Sequence, residues 1–249
     1  MLKREDPYHP TSLVLNCDNY YFDAYQSGAD YVMEDAYPVG INTTYSIPFD
    51  TYCNATHGDC GCDDCIGELQ DVSNRLDAFR NYYSWLGEFG KPLWAVIQAF
   101  SGEGYWSRDP TPQETWAMML LSFNHGAKGI MSWTFPASDT LNNAHAQMAK
   151  VATTATVTSF LLGSQPQTIV VTGHPLLDVS YWVRGNQTLI GEANLDYVGH
   201  NTTMGISLPF SVRSISSQPR GSTSWSARNS TLLARGVGAL ATSFVILDL

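Results

Sequence analysis

Charge is scarce in this chain of 249 residues: 14% are Asp, Glu, Lys or Arg, with 13 basic residues against 23 acidic ones and a formal net charge of -10. The basic footprint that a nucleic-acid binder needs is therefore missing, and the acidic balance speaks only to solubility. No run is long and apolar enough to span a bilayer as a helix. The N-terminus, Met1-Leu2-Lys3-Arg4-Glu5-Asp6, has no apolar core of the kind a secretory leader carries. Also missing are a Gly-x-Ser-x-Gly elbow and a phosphate-binding loop, which sets aside esterase and nucleotide chemistry. Neither an internal repeat nor a low-complexity segment is evident, and nothing in the chain calls for a cofactor.

What is present is a core and a polar, uncharged surface. Hydrophobic residues make up 44% of the chain, enough for a large domain or a domain with a smaller companion. Five N-glycosylation acceptor triplets begin at Asn42, Asn54, Asn186, Asn201 and Asn229. Cys53, Cys60, Cys62 and Cys65 crowd into one Gly- and Asp-rich loop, and Cys17 stands apart. A Cys-x-Cys-x-x-Cys run lacks the paired spacing of common zinc sites. Beside the acceptor triplets, two loop disulfides of unassigned pairing are expected, and no metal. These features together predict an extracellular, secreted glycoprotein. A secreted chain without a leader is expected to lack its beginning.

In chain order, Leu13–Leu15 reads as a short buried strand ending at Asn16-Cys17-Asp18-Asn19, and Tyr20 to Tyr25 as a helical turn. Ala29 to Glu34 is a second strand, closing on Asp35-Ala36-Tyr37-Pro38. Apolar residues at 69, 72, 76, 79, 83 and 86 keep a helical period, with Gly87 and Gly90 as stops. The run Lys91 to Phe100 is a third strand, opening into Ser101-Gly102-Glu103-Gly104-Tyr105-Trp106. Thr111-Pro112-Gln113-Glu114 forms a capping box for a helix over Trp116–Phe123. Gly129–Phe135 is a fourth strand, and Leu141–Leu162 a further helical stretch. Alternating strands and helices call for a parallel sheet with helices outside. Beyond about 164 short alternating runs between Gly, Asn and Pro predict an antiparallel β-sandwich. The expected division is residues 1–163 and 164–249.

Asp6-Pro7-x-His9-Pro10 before the first strand, Asp35-x-Tyr37-Pro38, Lys91-Pro92-Leu93-Trp94, and Gly126-Ala127-x-Gly129 leading to Trp133 resemble, in that order, the second half of the (β/α)8-barrel glycoside hydrolases of the β-galactosidase, cellulase and β-mannanase clan. The resemblance covers roughly residues 5 to 140. It implies barrel strands five to eight, followed by a C-terminal accessory domain. In that clan the acid/base is a Glu after strand four, outside such a fragment, and the nucleophile a Glu at the end of strand seven. Here Gln98 lies near the nucleophile's position, and a neutral amide forms no glycosyl-enzyme bond.

Chemistry then falls to the carboxylates at strand ends. Asp35 and Glu103 are the candidate catalytic pair, with Asp35 preferred over Glu34 because alternation turns the two to opposite faces. Sugar rings pack on aromatics, so Tyr37, Tyr105, Trp106 and Trp133 are candidate substrate contacts, with Asn16 and Gln98 as hydroxyl partners. Trp85, Trp94 and Trp116 sit inside elements and read as core, and His125 as a helix C-cap. The expected ligand is an oligo- or polysaccharide, with no nucleic acid and no membrane. The parent polypeptide is expected to be a glycosidase and this chain alone inactive. Its partner would be the remaining half-barrel or a second copy, because an open sheet leaves two edges unpaired. The alternative is a non-catalytic, carbohydrate-binding or cell-wall-associated barrel.

Overall fold

Four short parallel strands, each flanked by turn residues, make the first sheet of the computed structural model, which describes residues 2–15, 21–54, 60–62 and 64–249. Asn16 and Cys17, singled out by the sequence, lie outside the described residues. The chain divides into two compact units, Met1–Pro110 with Ala127–Ser138, and Thr111–Gly126 with Asp139–Leu249.

In the first unit α1 (Leu2–Glu5) precedes β1 (Ser12–Leu15), α2 (Phe22–Gln26), β2 (Tyr31–Glu34), a small ribbon of β3 (Tyr45–Ser46) and β4 (Thr51–Tyr52), α3 (Gln70–Leu86), β5 (Leu93–Gln98) and β6 (Gly129–Trp133). The sheet order β1-β2-β5-β6 follows the chain, and every pairing is parallel. Gly87, left-handed at φ 76°, ends α3 by donating its N–H to carbonyls of the last turn. The stripe Val72, Leu76, Phe79 and Tyr83 is buried, and α3 packs on β2 and β5. Trp85 lies off that stripe and is 77% exposed, so the expectation that it is core fails on helical phase alone.

The opposite face of the sheet gathers Tyr31, Met33, Trp94 and Val96 with Tyr37 and Trp106. Trp94 lies flat across Gly129, where a Cβ would sit 2.6 Å from the ring. Towards the sheet edges burial fails: Val14 on β1 and Met131 and Trp133 on β6 are exposed.

The second unit opens with α4 (Pro112–Asn124), α5 (Asp139–Ala152) and α6 (Ala155–Leu161). The capping box is complete: Thr111 Oγ1 accepts from the Glu114 N–H, and Glu114 Oε2 accepts the Thr111 N–H at 2.7 Å. Tyr197 donates its hydroxyl to the other Glu114 oxygen at 2.5 Å. The continuous helix expected over 141–162 is two helices, because Thr154 leaves helical geometry and caps α6.

The remaining chain is antiparallel sheet joined by turns and loops, with one sheet ordered β11-β14-β9-β8-β7 and another β10-β13-β12. Their strands are β7 (Gln167–Thr168), β8 (Leu177–Arg184), β9 (Gln187–Asn194), β10 (Met204–Ser207), β11 (Ser214–Arg220), β12 (Trp225–Arg228), β13 (Thr231–Ala234) and β14 (Thr242–Asp248). One core takes Val179, Ile190 and Val245 from the first sheet and Ile206 and Leu232 from the second. α4 lies on the larger sheet, where Gly191 admits Asn124: a Cβ at 191 would meet Asn124 Oδ1 at 2.3 Å. His125 caps α4 and places Nε2 2.9 Å from Asp178 Oδ2. By contacts, then, the helices after 111 group with the antiparallel sheets.

Candidate functional site

β2 and β5 end side by side, and the chain leaving each of them builds the candidate site in the first unit. At the end of β2, Glu34 is fully buried and its Oε2 accepts the Ala36 N–H at 2.8 Å. Burial pushes its carboxyl up to about 8, an effect the Arg75 guanidinium on α3 partly offsets. The next residue, Asp35, is raised by burial to about 7, with Arg75 and a hydrogen bond from the Tyr37 hydroxyl favouring its ionised form. Glu34 Oε1 and Asp35 Oδ1 have no hydrogen-bond partner among the described residues. Two adjacent carboxyl groups thus share one buried cation and both hold protons near neutrality, a pattern concentrated at functional sites.

Arg75 carries no motif that marks it in the sequence. It falls three after Val72 on the buried stripe of α3, where a cation needs an anion. Asp64 of the cysteine loop supplies one, as an ion pair, and the two β2 carboxyls lie within its field.

Tyr37 is buried, packed edge-on against Phe100 at 5.1 Å, and its hydroxyl is pushed well above the ordinary tyrosine value by burial first and by Asp35, Glu34 and Glu103. Glu103 itself is exposed, in a tight turn where Gly102, Glu103 and Gly104 are all left-handed. Tyr37 thus feels the charge of both Asp35 and Glu103.

Gln98, the last residue of β5, is 0% exposed and closes a two-way clamp on one residue: its Oε1 accepts the Val39 N–H at 2.9 Å and its Nε2 donates to the Val39 carbonyl at 2.9 Å. A third bond runs to the Phe100 carbonyl at 3.1 Å. The amide offered by the sequence to sugar hydroxyls is instead engaged by backbone. Trp106, offered as a stacking platform, is 6% exposed; its Nε1 donates to the Tyr37 carbonyl at 2.8 Å, and Gly61 lies so close that a Cβ there would stand 2.5 Å from the ring. Trp133 differs: it pairs with Gln98 in register and is 54% exposed.

Gly61 sits between the two disulfides, Cys53–Cys60 and Cys62–Cys65. Their four sulfurs are thereby withdrawn from thiolate chemistry. The β3–β4 ribbon leads out of this loop to an open cleft of about 650 Å³, lined by Asn42, Thr44, Ile47, Gly104, Tyr105 and the edge of Trp106 among others. Tyr105 is the half-exposed aromatic of this cleft, and its carbonyl accepts the Asn42 N–H at 3.1 Å.

No protein-family model matches the chain, and no curated protein matches it by sequence. Among solved structures, the debranching enzyme from Nostoc punctiforme is similar over 99% of this chain and 53% of its own length, at 12% identity and a TM-score of 0.57. The same enzyme soaked with acarbose gives 13% identity and a TM-score of 0.53, over 99% of this chain and 52% of that one. AmyB, a noncanonic maltogenic α-amylase from Thermotoga neapolitana, aligns over 99% of this chain and 63% of its own, at 11% identity and a TM-score of 0.49. The chain spans about half the length of the debranching enzyme it matches. At such identities the likeness concerns architecture, and what it shows is a glycoside hydrolase-like fold.

Proposed function

We propose that this chain supplies strands five to eight of a (β/α)8 barrel and a β-sandwich accessory domain to a secreted glycosidase that cleaves an O-glycosidic bond in an oligo- or polysaccharide. The observation that carries this reading is a carboxylic acid raised to about 7 at the C-terminal end of a parallel strand, where barrel enzymes place their chemistry. The sheet is open at β1 and β6, and exposed apolar residues on both edge strands suit further strands from a longer polypeptide or a second copy. Disulfides and exposed acceptor residues at Asn54, Asn186, Asn201 and Asn229 support an extracellular setting.

In this proposal Asp35 holds a proton near neutral pH and delivers it to the leaving glycosidic oxygen, and Glu103 is the carboxylate on the other side of the bond. The Tyr37 hydroxyl keeps Asp35 oriented. Trp133 and Tyr105 offer rings to the sugar.

The test is a glycoside panel assayed with the longer parent polypeptide and with this chain alone. Asp35→Asn and Glu103→Gln are each expected to lower kcat by about 10²–10⁴-fold. Wild-type activity is expected to fall as pH rises above about 7, when Asp35 loses its proton. Unchanged turnover in both variants sinks the pair. Saccharide binding without turnover in the parent would establish a non-catalytic binder.

A further inference from the structure

The second unit holds a cleft of about 350 Å³, lower in the size range of small-molecule sites, and it contains an arginine without an acid. Gln113 and Trp116, on neighbouring positions of the first turns of α4, form one wall. Arg220, the last residue of β11, forms another, together with Ser222, Leu240 and Thr242. Gly221 follows at φ 112°, a conformation that side chains rarely adopt, and a Cβ there would press on Ser243 Oγ at 2.6 Å. The turn fixes where Arg220 ends its strand.

The guanidinium carbon lies 4.3 Å from the centroid of the Trp116 ring, and that ring is itself held by a 2.9 Å hydrogen bond from its Nε1 to the Ala144 carbonyl. Arg220 Nε donates to Thr242 Oγ1 at 3.3 Å. No carboxylate pairs with Arg220 among the described residues, and desolvation alone acts on its charge, lowering its proton affinity. Glu192, the carboxyl nearest in sheet register, is buried behind Ser243. A half-buried, positioned cation of this kind has given up water without gaining an anion. The four N–H groups of its terminal nitrogens make no hydrogen bond among the described residues.

We infer that this cleft is a second saccharide site, selective for a uronic acid, in which Arg220 receives the sugar carboxylate. One cation and no second in the lining match a single negative charge, and the planar fork of a guanidinium matches a carboxylate in two parallel bonds. Gln113, Ser222 and Thr242 are neutral and polar, suited to hydroxyl groups. That the carboxylate belongs to a sugar rests on the glycosidase proposal; that the cleft takes a carboxylate does not.

The experiment titrates the full chain with methyl glucuronide, methyl glucoside and acetate, following heteronuclear NMR shifts of the Trp116 indole and the Arg220 side chain. Methyl glucuronide is expected to shift these signals at concentrations at least tenfold below those needed for the glucoside or acetate. Arg220→Met is expected to abolish that difference, and Arg220→Lys, which keeps charge without the fork, to retain part of it. Unfolding curves establish that both variants are folded. Equal affinity for acetate and the glucuronide overturns the sugar assignment, and no shift with either carboxylate overturns the site. Hydrolysis of neutral glycosides by the parent, expected to be unaltered in Arg220→Lys, separates failure of this site from failure of the glycosidase proposal.

Discussion

Replacement of Gln98 by leucine is expected to destabilise the first unit by roughly 3–5 kcal/mol, because it strands three buried backbone groups at once. The Val39 N–H and carbonyl and the Phe100 carbonyl each lose their partner, and leucine refills the volume without replacing a single bond. Urea unfolding followed by Trp fluorescence measures the loss. A cost below about 1 kcal/mol would show that water replaces the clamp. Gln98→Glu tests the same clamp from the electrostatic side. An ionised carboxylate still accepts the Val39 N–H, but it donates nothing and carries charge into a site with no exposure. Burial raises the folded pKa of such a Glu, so its penalty is expected to be small at pH 4 and to grow as pH rises. Restoring a carboxylate near the position where the resembled clan keeps its nucleophile would therefore weaken the fold.

A second large effect is expected in the other unit, at Glu192. Its side chain is fully buried between the sheets, and desolvation raises it to about 8 from a reference of 4.5. Ser243, its partner across β14, favours the carboxylate slightly without a well-formed hydrogen bond to either oxygen. The folded form therefore binds a proton that the unfolded chain releases above about pH 4.5, and unfolding free energy falls as pH rises from there to about 8, then levels. The total change is on the order of 5 kcal/mol. Glu192→Gln keeps the shape and removes the titration, so it is expected to match wild type near pH 4 and to exceed it by a similar amount at pH 8. Chemical denaturation at a series of pH values, read through Trp182 and Trp225, provides the comparison. Parallel wild-type and variant profiles would refute the assignment. Glu34 and Asp35 act with the same sign in the first unit, which is why a unit-specific probe is required.

Elements with strong local signals were legible before any coordinates. The Thr111 capping box and the Gly87 stop emerge from residue types that satisfy helix ends directly. β5 follows from an apolar run framed by Pro92 and the glycines of 102 and 104. Alternation, by contrast, turns Glu34 and Asp35 to opposite faces, yet both lie within the field of Arg75. Contacts between distant segments were not legible. The hairpin of β12 and β13 turns on Asn229, left-handed at φ 50°, which the sequence marked only as a glycosylation acceptor. Arg220 over Trp116 is a long-range pairing with no periodic signature. Trp106 and Gln98 show how residue type misleads near a site: an indole and an amide suit a sugar, but both groups bind backbone here.

The placement of Gly61 over the Trp106 ring gives the two disulfides a role distinct from overall stability. Their closures are short, with sequence separations of 7 and 3. Loop-closure entropy then limits each to roughly 2 kcal/mol, about half of what a long closure supplies. Their effect is concentrated on one peptide, held flat against an indole that borders the cleft. The parallel sheet itself contains none of these four cysteines. The disulfides thus bear on how Trp106 is covered rather than on the pairing of the sheet.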